Sequence, residues 1–148
     1  MKLSKRGEYG LRAMIFLAKH ADTDAVYPIG EIARQENIPV RFLEQILLNL
    51  NNAGLLNSKK GAHGGYYLAR PTDEITLGEI ERVLDGPLAP IRCVSHMAYE
   101  PCDCPDEQTC GLRMAMFDVR AAIADVLDRT TLADIAARLH ACLLYPSP

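Results

Sequence analysis

The chain lacks the features that mark membrane-spanning and exported proteins. Its 148 residues contain no apolar run of 18 or more, so no membrane-spanning helix is predicted. The basic start Met1–Arg6 is not followed by an apolar segment, so no secretory signal is predicted and we expect a cytoplasmic protein. A hydrophobic content of 49% and a charged content of 24% are those of an ordinary globular protein.

Motifs that are typical of enzymes are missing as well. There is no Cys-x-x-Cys pair after a strand, no glycine-rich phosphate loop and no recognisable Ser/His/Asp set. Internal repeats and low-complexity segments are also lacking. We therefore expect no catalytic residues, and a binding protein rather than an enzyme.

The net charge of −3 conceals an asymmetry between the two halves of the chain. Residues 1–70 contain 10 Lys and Arg against 6 Asp and Glu, whereas residues 71–148 contain 6 against 13. A basic region joined to an acidic remainder indicates a nucleic-acid partner, and chance clustering of charges is the alternative.

Helical spacing and capping signals predict three helices in the first third of the chain. The first runs from a Ser4 cap to about His20, and the second covers Ile29–Gln35. The third begins at Pro39 after a tight turn and ends before Gly54. Six residues of the third helix are expected to face the core: Phe42, Leu43, Ile46, Leu47, Leu50 and Ala53.

Two short strands are predicted next, at Leu55–Ser58 and Tyr66–Ala69, around a turn with glycines at 61, 64 and 65. Two helices joined by a tight turn and followed by a lysine-bearing hairpin are typical of a winged helix-turn-helix. A solvated helix face and an ordinary hairpin are the alternative. The predicted fold class is therefore mainly α with a small β-wing, continued by a long dimerisation helix.

The candidate DNA contacts are chosen for their chemistry. At the start of the third helix, Arg can bond guanine, Gln can bond adenine, and Glu can accept from cytosine. Basic residues at the first helix and at the hairpin tip suit phosphates or the minor groove. The predicted DNA-binding residues are Lys2, Lys5, Arg6, Val40, Arg41, Glu44, Gln45, Lys59, Lys60 and His63.

The second half is predicted to contain three helices. Thr76 caps a short helix at Leu77–Leu84, a long helix covers about Asp106–Asp128, and a last helix covers Leu132–Leu143. Apolar residues of the long helix recur at steps of four and three, which favours pairing with a second subunit; packing on the chain's own core is the alternative. These residues are Leu112, Met116, Val119, Ile123 and Val126.

Four of the five cysteines lie within 18 residues, in a proline-rich loop: Cys93, Cys102, Cys104 and Cys110. In a cytosolic chain, such a cluster indicates metal binding more than a disulfide framework. Thiolates are the usual ligands of iron–sulfur clusters, whereas zinc sites usually show a Cys-x-x-Cys pair. The neighbouring helix start is expected to lower the thiol pKa. His96 is a further candidate ligand or a solvated side chain, and Cys142 is expected to be a buried or half-buried structural thiol.

Taken together, several short motifs resemble the Rrf-two (Rrf2) family of bacterial transcription regulators. They are Met1-Lys2-Leu3-Ser4 with Arg6-Gly7 and Tyr9, Phe42-Leu43-Glu44-Gln45, Ala53-Gly54-Leu55, Gly61, Gly64-Gly65-Tyr66, Leu68-Ala69-Arg70-Pro71, Ile75-Thr76-Leu77-Gly78-Glu79 and Thr130-Thr131-Leu132-Ala133-Asp134. The resemblance implies a homodimer on a palindromic operator in double-stranded DNA. It also implies that the third helix enters the major groove and that the wing touches the minor groove.

The same resemblance implies a ligand set for the cysteine loop. In the sensing branch of the family, three cysteines hold an iron–sulfur cluster, and the last two are commonly five residues apart. Cys104 and Cys110 match that spacing, and Cys93 is the first ligand. Cys102 is an additional thiol, with three alternative roles: it replaces Cys104, serves as a fourth ligand, or is redox-active. In some members an acidic residue of the first helix reaches the cluster across the dimer. Glu8 stands at that position, and an ion pair with Arg12 is its alternative role.

The sequence therefore divides into a winged helix-turn-helix domain (1–85), a cysteine-rich loop (86–110), a dimerisation and C-terminal helix region (106–143) and a tail (144–148). We expect a homodimeric regulator, a repressor, whose operator affinity is tuned by a [2Fe–2S] or [4Fe–4S] cluster or by the redox state of the loop. The alternative is the same fold controlled by a partner protein, by thiol oxidation or by zinc, without a cluster.

Overall fold

The computed structural model describes residues 2–22 and 24–144, and this part of the chain is mainly helical with one antiparallel hairpin. That architecture is the predicted fold class. The elements are α1 (Lys5–Lys19), α2 (Ile29–Glu36), α3 (Val40–Asn52), β1 (Leu56–Lys59), β2 (Gly65–Leu68), α4 (Leu77–Leu84), α5 (Gly111–Arg129) and α6 (Leu132–Leu144). Of the predicted tail, Leu144 belongs to α6 and residues 145–148 lie outside the described residues.

Local signals set the ends of the first three helices. The Ser4 hydroxyl accepts from the Gly7 amide at 2.9 Å, so α1 begins where the cap was predicted. Between α2 and α3, Asn37 adopts the left-handed conformation with φ 54°, and Pro39 precedes the first turn of α3. Beyond the end of α3, Gly54 takes a positive φ of 81°, which a glycine adopts without steric cost.

The hydrophobic core lies between α1, α2, α3 and α4 and the base of the hairpin. Leu43, Ile46, Leu47 and Leu50 of α3 are buried in it, as predicted. Two predicted core residues of α3 are not. Phe42 is 44% exposed and packs edge-on against the Tyr9 ring at 5.5 Å, and Ala53 is exposed because the helix ends there.

The hairpin, which we call the wing, pairs Leu56 with Leu68 at its base and Lys59 with Gly65 near its tip. Its second strand also bonds the segment before α2, because the Tyr66 amide donates to the Tyr27 carbonyl at 2.8 Å. A Cβ at Gly65 would lie within 2.6 Å of the Pro28 nitrogen, so only glycine permits this close approach. The wing is thereby attached to the helical core along both strands.

The second half returns to the core through α5 and α6. The Thr76 hydroxyl caps α4 by accepting from the Glu79 amide at 3.2 Å, as predicted. The Leu132 amide donates to the Ile75 carbonyl at 2.9 Å, and the Leu132 side chain is fully buried. Among the described residues, no helix is long and apolar enough to cross a membrane.

The start of α5 differs from the prediction. The helix begins at Gly111 rather than near Asp106, and it ends at Arg129. The Asp106 carboxylate accepts from the Gln108 amide at 3.0 Å and from the Thr109 hydroxyl at 2.9 Å. These local bonds form a turn that competes with helix, so the cysteine loop extends up to the first turn of α5.

Candidate DNA-binding surface and cysteine loop

The first turn of α3 presents polar side chains to solvent. Pro39 stands at the helix start without a side-chain cap, and Val40, Arg41, Glu44 and Gln45 are all exposed. The opposite face is held in the core by the buried leucines and isoleucine described above. The predicted reading residues are therefore accessible on a rigid helix, which suits contacts to base edges in a major groove.

Cations on this surface have no acidic partner. In residues 2–22 and 24–144, no ion pair is formed by the side chains of Lys2, Arg41, Lys59 or Lys60, which are all exposed. Elsewhere, most basic side chains are paired: Lys5, Arg12, Lys19, Arg34, Arg70, Arg82, Arg92 and Arg129. Lys2, Arg41, Lys59 and Lys60 belong to the predicted DNA contacts before α1, at the start of α3 and on the wing, where His63 is also exposed.

Two of the predicted contacts at the start of α1 are engaged within the chain. The Lys5 ammonium lies 3.2 Å from a Glu8 carboxylate oxygen. The Arg6 Nε donates to the Leu84 carbonyl at 2.9 Å. The Asn49 side chain, with its amide oxygen turned toward Arg6, accepts from the same guanidinium. Arg6 therefore joins α1 to both α3 and α4, a role that the sequence did not indicate.

The cysteine loop (86–110) is ordered by polar contacts around the buried Cys93 and Val94. The Arg92 guanidinium pairs with Glu100 at 2.5 Å, and the Arg113 Nε donates to the Cys93 carbonyl at 3.3 Å. Cys93 itself is buried in a short 3₁₀ turn. The Arg113 bond ties the first cysteine to the first turn of α5, so the loop and that helix are mechanically connected.

The structure brings the predicted thiols together. The Cys104 amide lies 3.2 Å from the Cys102 sulfur. The Cys93 sulfur, the Cys102 sulfur and a Glu107 carboxylate oxygen all lie within 4.8 Å of one another. Thiolates and a carboxylate form a donor set that fits an iron–sulfur cluster or a single soft cation. All of the described cysteines are free thiols.

Glu107 was not among the predicted site residues. Its carboxylate accepts from the Tyr99 hydroxyl at 2.6 Å and from the Cys102 amide at 2.9 Å, and these bonds lower its pKa. It therefore braces the loop around Cys102 as an ionised group. The available signal was an acidic residue inside a cysteine-rich loop.

For two of the loop thiols, Cys93 and Cys104, the pKa is raised rather than lowered. Burial is the main cause that raises the pKa of Cys93, followed by the nearby Cys102. A hydrogen bond with Cys102, burial and the neighbouring thiols raise the pKa of Cys104 to about 12. A bound cation is the natural partner of such thiols, because it replaces their protons.

The remaining candidates lie elsewhere. Glu8 pairs with Arg12 at 3.8 Å as well as with Lys5, which is the alternative role expected for it. His96 is exposed and its Nδ1 lies 3.2 Å from the Arg120 guanidinium on α5. The expectation of a buried or half-buried Cys142 is wrong, because this thiol is exposed on the last turns of α6, beyond the part that packs on the core.

The apolar residues of the α5 seam (Leu112, Met116, Val119, Ile123 and Val126) are not covered within the chain. Leu112 is 62% exposed and Val126 is 60% exposed, and none of the residues of α5 is buried. The other three seam residues are half-buried. A helix of this length with an uncovered apolar stripe suits a helix–helix interface.

Fold and surface together define a class of protein. A helix-turn-helix with an accessible polar first turn, followed by a lysine-tipped wing, is the architecture of winged-helix transcription regulators. The family model Rrf2, described as an iron-dependent transcriptional regulator, matches residues 3–138. The chain belongs to the Rrf2 family of transcriptional regulators.

Individual relatives agree with this assignment. The chain is 40% identical over 138 residues to the HTH-type transcriptional regulator CymR of Bacillus subtilis. The alignment covers 93% of this chain and 91% of CymR. The solved structure of CymR (YrzC), described as the global cysteine regulator of B. subtilis, superposes with a TM-score of 0.77 at 38% identity, covering 93% of this chain and 98% of CymR. The solved structure of T. potens IscR gives 0.75 at 32% identity, covering 94% and 88%. These relatives are regulators rather than enzymes.

Proposed function

We propose that this regulator binds an operator in double-stranded DNA through the first turn of α3 and the wing, and that it acts as a cytoplasmic repressor. The observation that carries the proposal is that the exposed Arg41, Lys59 and Lys60 of these elements form no ion pair within the described residues. Phosphates would supply the missing partners for Lys59 and Lys60. Arg41, Glu44 and Gln45 would read base edges, with Val40 as an apolar neighbour.

Dimerisation through α5 is the second part of the proposal. The uncovered seam of this helix would pair with the same seam of a second copy, as a two-fold interface requires. Two copies would present two α3 helices, so the operator would be a palindrome whose half-sites are about one helical turn apart.

The cysteine loop would be the sensor. The thiolates of Cys93, Cys102, Cys104 and Cys110 would hold an iron–sulfur cluster, which would supply redox chemistry. An ordered loop would fix the positions of the two helices that it joins, α4 and α5. Asp85 joins the loop to α4 beside the reading helices, and Arg113 joins Cys93 to the dimerisation helix. Ordering the loop would therefore fix α5 relative to the DNA-binding surface. Whether Glu8 of a second copy completes the ligand set is part of this proposal.

Selection of DNA from a pool of random duplexes tests the first two parts. We expect the wild-type chain to enrich a dyad-symmetric sequence, called here the selected duplex, and to sediment with it as a dimer. Enrichment of no sequence, or of a single half-site bound by one copy, would contradict the proposal.

Anaerobic purification tests the sensor. We expect visible absorption with stoichiometric iron and acid-labile sulfide, and affinity for the selected duplex that changes by a coupling of about 1–3 kcal/mol when iron is chelated. Substitution of Cys102 by Ser should cost more iron than substitution of Cys104, because Cys102 is the thiol beside Cys93 and Glu107. Zinc without acid-labile sulfide would show that the loop binds zinc instead of a cluster. A metal-free protein whose DNA affinity changes with thiol oxidation would show that the loop senses through its thiols.

A further inference from the structure

Two carboxyl groups of α4 lie against the first turn of α1, in a contact that we call the α1–α4 junction (Ser4, Gly7, Glu81 and Asp85). The Ser4 hydroxyl donates to the Asp85 carboxylate at 2.5 Å. A Cβ at Gly7 would lie 2.5 Å from an Asp85 oxygen and 2.6 Å from the Glu81 Oε1. Only a glycine at position 7 leaves room for both carboxyl groups.

Glu81 is buried at this junction without a cation. Its side chain is 3% exposed, and its Oε1 has no hydrogen-bond partner in the described part of the chain. An ionised carboxylate in such a place loses its hydration without compensation. Burial first, and then the charge and hydrogen bond of Asp85, raise the pKa of Glu81 to about 7.

In the described residues, no ion pair joins a basic side chain to Glu81 or Asp85. From α1, Arg6 donates to the Leu84 carbonyl, and Arg12 pairs with Glu8. From α4 itself, Arg82 pairs with Asp128 of α5 at 2.6 Å. From α3, the junction is approached by the neutral Asn49 amide, which faces Arg6. A proton is therefore the cation that this pair of carboxyl groups can take up.

The position of the junction connects it with both halves of the proposed regulator. Asp85 is followed directly by Gly86, where the cysteine loop begins. On the α1 side, Ser4 stands between Lys2 and Lys5, and Arg6 reaches across to Asn49 on the reading helix α3. A change in the contact of α1 with α4 would move the base of α3 and the root of the loop together.

We propose that Glu81 and Asp85 share one proton, and that this proton is a second regulatory input that favours DNA binding. The inference rests on the proposed function. With the proton present, Glu81 donates to Asp85 and the junction stays closed. Without it, two carboxylates repel each other across Gly7, and α1 loosens from α4. No covalent chemistry is involved, because the proton exchanges with water.

Affinity for the selected duplex at constant ionic strength, measured between about pH 6 and pH 8, tests the coupling. The wild-type chain should bind about fivefold more tightly at the acidic end. Glu81→Gln, which mimics the protonated form, should bind at all pH values as the wild type does at low pH. The exposed Glu74 offers a matched control, and Glu74→Gln should keep the wild-type profile. Charge changes elsewhere in the chain are common to all three proteins, so the comparison isolates Glu81.

A second variant and a DNA-free measurement complete the test. Asp85→Asn removes the repelling charge, so the midpoint of the profile should move to lower pH. The ¹³C shift of the Glu81 carboxyl, followed in the full chain without DNA, should titrate near neutral pH in the wild type and at lower pH in Asp85→Asn. A profile in Glu81→Gln as steep as that of the wild type, or a Glu81 carboxyl that titrates as a solvated one, would overturn the inference. Failure to bind any duplex at any pH would instead overturn the proposed function on which it rests.

Discussion

At the scale of single residues, glycines determine how closely α1 packs against its neighbours. A Cβ at Gly10 would overlap the Leu84 side chain and lie 3.3 Å from the Ile46 Cγ2. Gly10 is buried at the point where α1 meets α3 and α4. By contrast, a Cβ at Gly30 in α2 would meet nothing within 4 Å. The two helical glycines therefore have opposite structural roles, although the sequence alone does not distinguish them.

Substitution of Gly10 by Ala should destabilise the protein. Overpacking at this site is expected to cost about 1–3 kcal/mol, which exceeds the gain in helix propensity of roughly 1 kcal/mol. Gly30→Ala, the matched control, should stabilise by about 0.5–1 kcal/mol because it meets no neighbour. Urea unfolding of both variants checks the pair. Equal effects of the two substitutions would show that α1 does not pack on Leu84 as described.

The pKa of Glu81 also predicts a pH dependence of stability. A carboxyl whose pKa rises from 4.5 to about 7 on folding binds its proton more tightly in the folded chain. Its contribution is therefore fully present below the unfolded value and is lost as the pH rises through the folded one. The loss should amount to about 1–3 kcal/mol, measured as the free energy of unfolding against pH. Glu81→Gln should remove this slope, and a persistent slope would contradict the assignment.

At the scale of elements, α5 and the wing carry surfaces that the single chain leaves incomplete. Leu112 and Val126 expose most of their side chains although they lie on one apolar stripe. Lys59 and Lys60 form no ion pair with any residue that the structure describes. Both features are consistent with macromolecular contacts, a second subunit for α5 and DNA for the wing. They can be tested independently, because the substitutions change exposed residues of a chain that should still fold.

Charges on the α5 seam should separate the subunits. Leu112→Glu with Val126→Glu is expected to give a folded monomer, because these side chains are exposed in the single chain and would be buried only in the pair. Ala121→Glu, on the opposite side of the helix from the seam, should remain dimeric. Sedimentation equilibrium distinguishes the two states. A dimeric seam variant would place the subunit interface elsewhere.

Loss of the wing lysines should weaken DNA binding in a salt-dependent way. Lys59→Ala with Lys60→Ala removes two phosphate contacts, so the slope of log affinity against log salt should fall by about 2. Arg129→Ala removes one positive charge that is paired with Asp125 on α5, and it should leave the slope unchanged. Titrations of the selected duplex over a range of salt concentrations measure both slopes. An unchanged slope in the lysine variant would exclude the wing from the phosphate contacts.

At the scale of the whole molecule, features encoded by neighbouring residues were predictable, and features that depend on distant partners were not. Ser4 and Thr76 cap their helices as expected, since each cap bonds an amide three residues further along. The start of α5 was misplaced because Asp106 and the residues after it form a turn whose bonds compete with helix. The exposure of Phe42 and Cys142 depends on where the helices end and on what they pack against. The periodicity of the sequence does not predict either.

The candidate site shows the same division. Spacing in the sequence was sufficient to predict that Cys93, Cys102 and Cys104 lie close together. Helical periodicity was sufficient to predict that Arg41 and Gln45 are exposed on α3. Glu107 was missed, because its role arises from a contact with Tyr99 that no local pattern shows. Arg6 was assigned to DNA contact, whereas it bonds the distant Leu84 carbonyl. The junction of Glu81 with Asp85 against Gly7 likewise appears only when α1 and α4 are placed together.

The central claim is that the first turn of α3 reads base pairs, and the ratio of affinities for the selected duplex and for a scrambled duplex of the same composition tests it most directly. The wild-type protein should prefer the selected duplex by about 10³-fold or more at physiological salt. Arg41→Ala should reduce that preference by about 1–3 kcal/mol per half-site while leaving the scrambled duplex less affected. A wild-type ratio near one, or a ratio that Arg41→Ala does not change, would contradict the account.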